Sequence, residues 1–172
     1  MENKIMFYHK FSRILVPALF LLCLQGYAQT DAAQEKIDKH TQLKSLIDSK
    51  KYHFHALSVT PMRGGTRQLT SEYGFKIDND SLSVFLPYFG RAYSVDYGST
   101  DLSIRFRTKE FSYVADTTKK GGWEITIIPK GQANANKIYM SVTSSGYCNV
   151  QVNSNNRDPI SFYGNINAFN DR

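Results

Sequence analysis

From Tyr52 to Ile166 the hydrophobic residues recur with period 2, and this constrains the fold more than any other feature of the chain. Tyr52, Phe54 and Ala56 alternate with His53 and His55. Tyr73, Phe75 and Ile77 follow, then Leu82, Val84 and Leu86. Leu102, Ile104 and Phe106 share one face, while Ser103, Arg105 and Arg107 share the other. Trp123, Ile125 and Ile127 come next, then Ile138, Met140 and Val142, then Cys148, Val150 and Val152, then Ile160, Phe162, Gly164 and Ile166. Successive strand residues point to opposite faces, so each row meets a core on one side and solvent or a cavity on the other. A slip of one residue would turn every row to water, so the alternation also sets the register.

The breaks between rows carry turn chemistry. Asp78-Asn79-Asp80 separates two rows at hairpin distance, Lys119-Lys120-Gly121-Gly122 precedes Trp123, and Ser144-Ser145-Gly146 joins two late rows. Asn and Gly supply the positive φ of tight turns, and Asp suits their capping. Short links between sequence neighbours imply antiparallel pairing, and the absence of βαβ alternation excludes a Rossmann-type sheet. The expected fold is mainly β: a single antiparallel β-barrel or β-sandwich of about eight to ten strands with one N-terminal α-helix. A barrel would remove the exposed edges that an open sheet leaves.

Upstream the period changes. Ala33, Ile37, Leu43, Leu46 and Ile47 recur at mostly helical spacing, with Thr30 or Asp31 to cap the start and Lys50 and Lys51 at the end. Cations there suit the negative end of the helix dipole. His40, Thr41 and Gln42 make one turn polar, so the first half of the helix is expected to pack loosely. Before it, Lys4, Lys10 and Arg13 precede an apolar run from Ile14 to Leu24, and Gly26 and Ala28 stand at −3 and −1 before Gln29. This is the layout of a cleaved signal peptide, and the run falls short of the roughly 20 residues that span a bilayer. Cys23 follows Leu22, not the small residue a lipoprotein site requires. The expected organisation is a signal peptide over 1–28, a helix over 29–51 and an antiparallel β domain over 52–172, exported to the periplasm or cell envelope or secreted, with no membrane span after cleavage.

Without residues 1–28 the chain keeps 144 residues and its formal charge falls from +6 to +4, a mild excess. A domain of this size can build one core without staples. Cys148 is then the single cysteine, which rules out an intrachain disulfide and reads as a small apolar strand residue. His53 and His55 point to one face of a strand and have the spacing of two metal ligands, but no third ligand is marked, so no metal or other cofactor is expected. Asp78-Asn79-Asp80 lacks the central Gly and closing Glu of an EF-hand loop. Arg105, Arg107 and Lys109 share one strand face and, with Arg63, Arg67 and Arg91, are candidates for an anion patch suited to a phosphate or an acidic glycan; nucleic acid is the wrong partner for an exported chain. There is no G-x-S-x-G, H-E-x-x-H, P-loop or C-x-x-C motif, and no paired acid and base among Glu35, Glu72, Glu110 and Glu124. The expectation leans away from an enzyme.

The most distinctive segment is Leu86-Pro87-Tyr88-Phe89-Gly90-Arg91-Ala92-Tyr93. Pro87 ends ladder donation, Gly90 permits a bend or a close approach, and three aromatics and one Arg cluster around it. Tyr88, Phe89, Arg91 and Tyr93 are therefore the candidate ligand-binding residues, as the lip of a pocket for a lipid or a glycan fragment. The alternative is an aromatic corner that plugs the core, in an envelope domain that is structural or binds protein. On that reading Leu86 and Phe89 face inward, while Tyr88 and Arg91 face solvent.

This octapeptide, together with Trp123-Glu124-Ile125 and the run from Asn156 to Gly164 (NRDPISFYG), resembles domain-of-unknown-function family 4251, small exported proteins of Bacteroidetes with a Tyr-Phe-Gly motif. The resemblance covers about Leu46 to Ile166. It implies an exported single domain and carries over no catalytic residue, since the family has no assigned activity.

Overall fold

The computed structural model describes residues 34–93, 103–132 and 135–169, and within them each alternating row becomes a strand of one antiparallel sheet. The expected leader over 1–28 lies outside the described residues. The strands are β1 (Lys51–Pro61), β2 (Arg67–Gln68), β3 (Gly74–Asp78), β4 (Ser81–Leu86), β5 (Ile104–Thr108), β6 (Phe111–Thr117), β7 (Trp123–Pro129), β8 (Lys137–Val142), β9 (Tyr147–Asn153) and β10 (Ile160–Asn167). Residues 34–49 form the helix α1. The chain divides into two units, Met1–Lys39 and His40–Arg172. In the first, residues 34–39 are helical, with Lys39 3.5 Å from Glu35. Everything below concerns the second. No helix among the described residues is long and apolar enough to cross a membrane.

The strand order is β5-β4-β3-β1-β10-β9-β8-β7-β6, with β2 paired to β1. The outermost strands, β5 and β6, are joined by Lys109 and Glu110 alone. In a flat sheet with strands ~4.8 Å apart they would stand nearly 40 Å from each other, whereas so short a link reaches only about 10 Å. The sheet therefore has to roll up. Each antiparallel step reverses direction and an even number of steps separates β5 from β6, so the two run the same way. They are the halves of one bent strand: β5 pairs with β4, and β6 pairs with β7. The Thr108 hydroxyl accepts from the Glu110 N–H at 3.0 Å, and the Glu110 carbonyl accepts from the Lys130 N–H at 2.8 Å, which pins the bend. The result is a nearly closed barrel, and this choice between barrel and sandwich comes from the connection at Lys109-Glu110. Followed sideways, the pairing that leaves Leu86–Ile104 returns near Trp123–Thr117, a stagger of about a dozen residues that tilts the strands.

The alternation places the core as expected. Tyr52, Phe54, Phe75, Ile77, Leu82, Ile125, Ile138 and Phe162 are among the fully buried side chains. The Asp78–Ser81 hairpin turns through Asn79 at φ 50°, and Gly121 and Gly146 take positive φ in the two other expected turns. β6 is the strand the alternation does not mark. Its inward row, Phe111 and Tyr113, fades into Ala115 and Thr117, which stay exposed.

Residues 40–50 close one end of the barrel. Leu43 and Ile47 are buried there, Leu43 against Gly146. The His40 ring stacks on Trp123 at 5.0 Å, and its Nε2 donates to the Gly121 carbonyl at 2.9 Å. The Tyr113 hydroxyl donates to the Ile47 carbonyl at 3.5 Å, and the Lys50 carbonyl accepts from Asn79 N–H at 2.9 Å. The Tyr52 hydroxyl, inside the barrel, donates to that of Tyr113 at 3.3 Å; burial pushes its pKa well up. The turns before β4, β7 and β9 all lie at this end, which leaves the opposite end to the connections after β4 and β9.

Candidate functional site

β4 ends with Leu86 fully buried, as expected, and Pro87 withdraws the next N–H from the ladder. The chain then bends across the far end of the barrel and meets the β9–β10 connection. Ala92 bridges Arg157 in antiparallel fashion. Tyr93 N–H donates to the Asn156 carbonyl at 2.8 Å, and Asp158 N–H donates to the Arg91 carbonyl at 3.0 Å. Two segments far apart in sequence thus form one short ribbon.

Tyr88 pins that ribbon from below. It is 6% exposed, and its hydroxyl lies 2.7 Å from the Arg91 carbonyl and 3.1 Å from that of Asp158. The Arg157 guanidinium, itself buried, stands 5.1 Å from the ring centre. Burial first, and then the Asp158 charge, raise the pKa of the phenol, so it remains a donor. Gly90 explains how the ring fits: a Cβ there would fall 2.5 Å from the Tyr88 hydroxyl and 2.7 Å from Cζ. The need is for space, since Gly90 is not among the residues with positive φ.

This reverses part of the sequence expectation. Tyr88, expected outside, is buried; Phe89, expected inside, is 42% exposed. The in-out count from Leu86 does not survive Pro87, where the strand ends. A buried Tyr also needs a partner for its hydroxyl, and the bend's own carbonyls provide two. Arg91 is exposed, as expected, and Tyr93 is exposed with its hydroxyl donating to Asp158 Oδ1, a bond that is the main cause of its raised pKa.

What Tyr88 leaves facing solvent is a pocket of about 260 Å³ lined by Arg63, Phe89, Gly90, Arg91 and Asp158. Arg67 lies 5.0 Å above the Phe89 ring. Among the candidate residues, then, Phe89 and Arg91 line the pocket, Tyr93 engages its carboxylate, and Tyr88 supports it. The six cations considered together from sequence do not form one patch. Arg63, Arg67 and Arg91 gather here. Arg105 and Arg107 line a groove on the outer wall of β1, β3, β4 and β5, and Lys109 sits 3.8 Å from Asp80. The sequence reading missed Asp158 and Phe85. Asp158 lies in the run Asn156–Gly164, and Phe85 occupies the outward slot beside Val84, where a single apolar side chain is ordinary and carries no signal of its own.

The His53 and His55 rings are 6.3 Å apart. Among the described residues no three His, Cys, Asp or Glu side chains come together to hold an ion. Burial, followed by the His55 charge, lowers the pKa of His53. Cys148 is buried in β9, and burial pushes its thiol up to about 12.

A family model described as a domain of unknown function, DUF4251, matches residues 34–166. The chain belongs to the DUF4251 family. A crystal structure of a DUF4251 protein from Bacteroides eggerthii is similar, with a TM-score of 0.56 and 16% sequence identity over 78% of this chain and 90% of that one. At that identity the likeness shows the fold. No curated protein matches the chain. Both halves of the pinned bend, Leu86 to Tyr93 and Asn156 to Gly164, lie inside the DUF4251 match.

Proposed function

We propose that this chain is an exported cell-envelope module that binds a small, partly apolar ligand carrying negative charge, such as a glycan fragment, in the bend pocket. One observation supports it: the bend is held rigid by Tyr88 and the Asn156–Asp158 segment, yet presents Phe89, Arg63 and Arg91 outward around a concave site. A preorganised ring and guanidinium pair lose little freedom on binding, and the guanidinium fork suits carboxylate, sulfate or phosphate. The expected leader and its site before Gln29 support export.

A second reading has its own observation. Tyr88, Gly90, Arg157 and Asp158 are all occupied in holding the two segments together, as in a structural or protein-binding envelope domain without a small ligand. Native mass spectrometry of protein recovered from its own periplasm separates the two. On the first reading a retained small molecule is seen, and the double variant Phe89→Ala, Arg91→Ser loses it while keeping its unfolding midpoint. Absence of any retained mass, or its persistence in the double variant, sinks that reading. Sequencing of the recovered N-terminus tests export: Gln29 is expected, and an intact Met1 or an acylated Cys23 refutes it.

A further inference from the structure

We propose that the outer wall of the barrel carries a second binding site, a cationic groove across β1, β3, β4 and β5 that takes an extended acidic saccharide. The site is separate from the bend pocket and does not depend on it.

The register builds the groove. Arg107, Ser83, Lys76 and His53 are consecutive cross-strand partners in one row; Arg105, Phe85, Gly74 and His55 are the next. Neighbours across strands are ~4.8 Å apart and neighbours along a strand ~7 Å, so the two rows make a bed about 14 Å long. Gly74 leaves a hollow in the middle of its row. No side chain can fill it, because a Cβ there would overlap the Phe54 carbonyl oxygen. The groove so formed has a volume of about 560 Å³, and its lining includes His53, Glu72, Lys76, Phe85, Arg105 and Arg107.

Its cations are outside any ion pair and are positioned. Among the described residues no ion pair reaches Lys76, Arg105 or Arg107, and Lys76 Nζ lies 3.9 Å above the Phe169 ring. Glu72 is the one carboxylate in the lining. Arg105 lies 4.2 Å above the Phe85 ring, which leans on Tyr73 at 5.1 Å. Arg107 Nε donates to Ser83 Oγ at 3.0 Å, which directs the remaining guanidinium N–H groups to solvent. Two oriented forks on one strand match carboxylates or sulfates repeated along a chain, and such paired contacts are strong for an exposed site. Phe85, 37% exposed and engaged by Arg105 and Tyr73, adds an apolar edge beside the cations that the CH groups of a sugar can meet. The lining has no exposed aliphatic side chain to enter a bilayer, so an anionic lipid surface fits less well.

The experiment titrates the folded protein with a six-sugar oligogalacturonate, its methyl-esterified form, a heparin-derived six-sugar fragment and vesicles containing phosphatidylglycerol. At least one acidic oligosaccharide is expected to bind, weakening as salt is raised, while the ester binds far less. Arg105→Gln with Arg107→Gln should weaken that binding by about tenfold or more, as charge-assisted contacts are lost. Arg91→Ser, at the bend, should leave the share of the binding that depends on Arg105 and Arg107 unchanged. The proposal is overturned if neither acidic oligosaccharide binds, if the ester binds equally, or if the Arg105/Arg107 variant binds like wild type. Vesicle binding without oligosaccharide binding overturns it too, and so does loss of binding in Arg91→Ser, which would move the ligand to the bend pocket. These side chains are exposed, so the variants are expected to fold, and an unchanged unfolding midpoint verifies that.

Discussion

Gly90 and Tyr88 should behave as one unit, because the glycine is there to admit the ring. A Cβ at Gly90 would stand 2.5 Å from the Tyr88 hydroxyl oxygen and 2.7 Å from Cζ, about 1 Å inside ordinary contact. The ring cannot easily yield, since it is 6% exposed and its hydroxyl is held between the Arg91 and Asp158 carbonyls. Gly90→Ala is therefore an overpacking change of about 1–3 kcal/mol. Tyr88→Ala removes a buried aromatic and should cost about 3–5 kcal/mol, a large part of the roughly 5–15 kcal/mol typical of a domain. In the Tyr88→Ala background the clash has gone, and φ at Gly90 is not left-handed, so adding Gly90→Ala should cost almost nothing. The double-mutant cycle should then give a coupling of about 1–3 kcal/mol. Phe89→Ala, one residue away and 42% exposed, should cost under about 1 kcal/mol. Urea denaturation followed by Trp123 fluorescence measures all four. If Gly90→Ala costs the same with and without Tyr88, the glycine serves the backbone and the packing argument is wrong; if Phe89→Ala costs as much as Tyr88→Ala, the assignment of inside and outside is wrong.

Burial lowers the His53 pKa below its ordinary 6.5, so between the two values the unfolded chain binds more protons. Stability is then expected to fall as pH drops through 6.5 toward the folded value, and His53→Gln should reduce that slope in urea titrations across pH. Cys148, buried with its thiol pushed up to about 12, should resist thiol reagents in the native state and react on unfolding; rapid labelling of the native Cys23→Ser chain would contradict its placement. His40→Ala should shift Trp123 emission and cost about 0.5–1.5 kcal/mol through the lost ring stack; an unaltered spectrum would show that residues 40–49 do not cover that end of the barrel in solution.

The bend and the wall groove illustrate two ways in which a barrel end and a barrel side acquire chemistry. At the end, loops with no ladder of their own satisfy their backbone groups with each other and with one tyrosine hydroxyl, and what projects beyond is available for recognition. On the side, the ladder does the positioning: strand register aligns Arg107 with Ser83 and Arg105 with Phe85, and each cation is held by its cross-strand neighbour.

The strands, their faces and their turns could be read from the residues because they are local. Period 2 in Tyr52–Ala56 or Ile160–Ile166 dictates which side chains are buried, and Asn79, Gly121 and Gly146 announce their turns through the φ they tolerate. Helical spacing groups Leu43, Leu46 and Ile47 on α1, but that Leu43 and Ile47 are buried while Leu46 is only half-buried is decided by how the helix meets the barrel end. Other features depend on contacts between distant segments, for which no periodicity exists. The closing of the sheet rests on the Lys109-Glu110 bend, and β6 went unmarked because its inward row is weak where Ala115 and Thr117 stay exposed. The exchange of Tyr88 for Phe89 as the buried ring depends on carbonyls of Arg91 and Asp158, the second of them 70 residues away. The division of the arginines between bend and wall follows from barrel geometry, which carries Arg63 and Arg91 to one rim and Arg105 and Arg107 to the flank. Local spacing encodes which way a side chain points, but not which distant group it meets; that is decided when the sheet rolls up and brings its ends together.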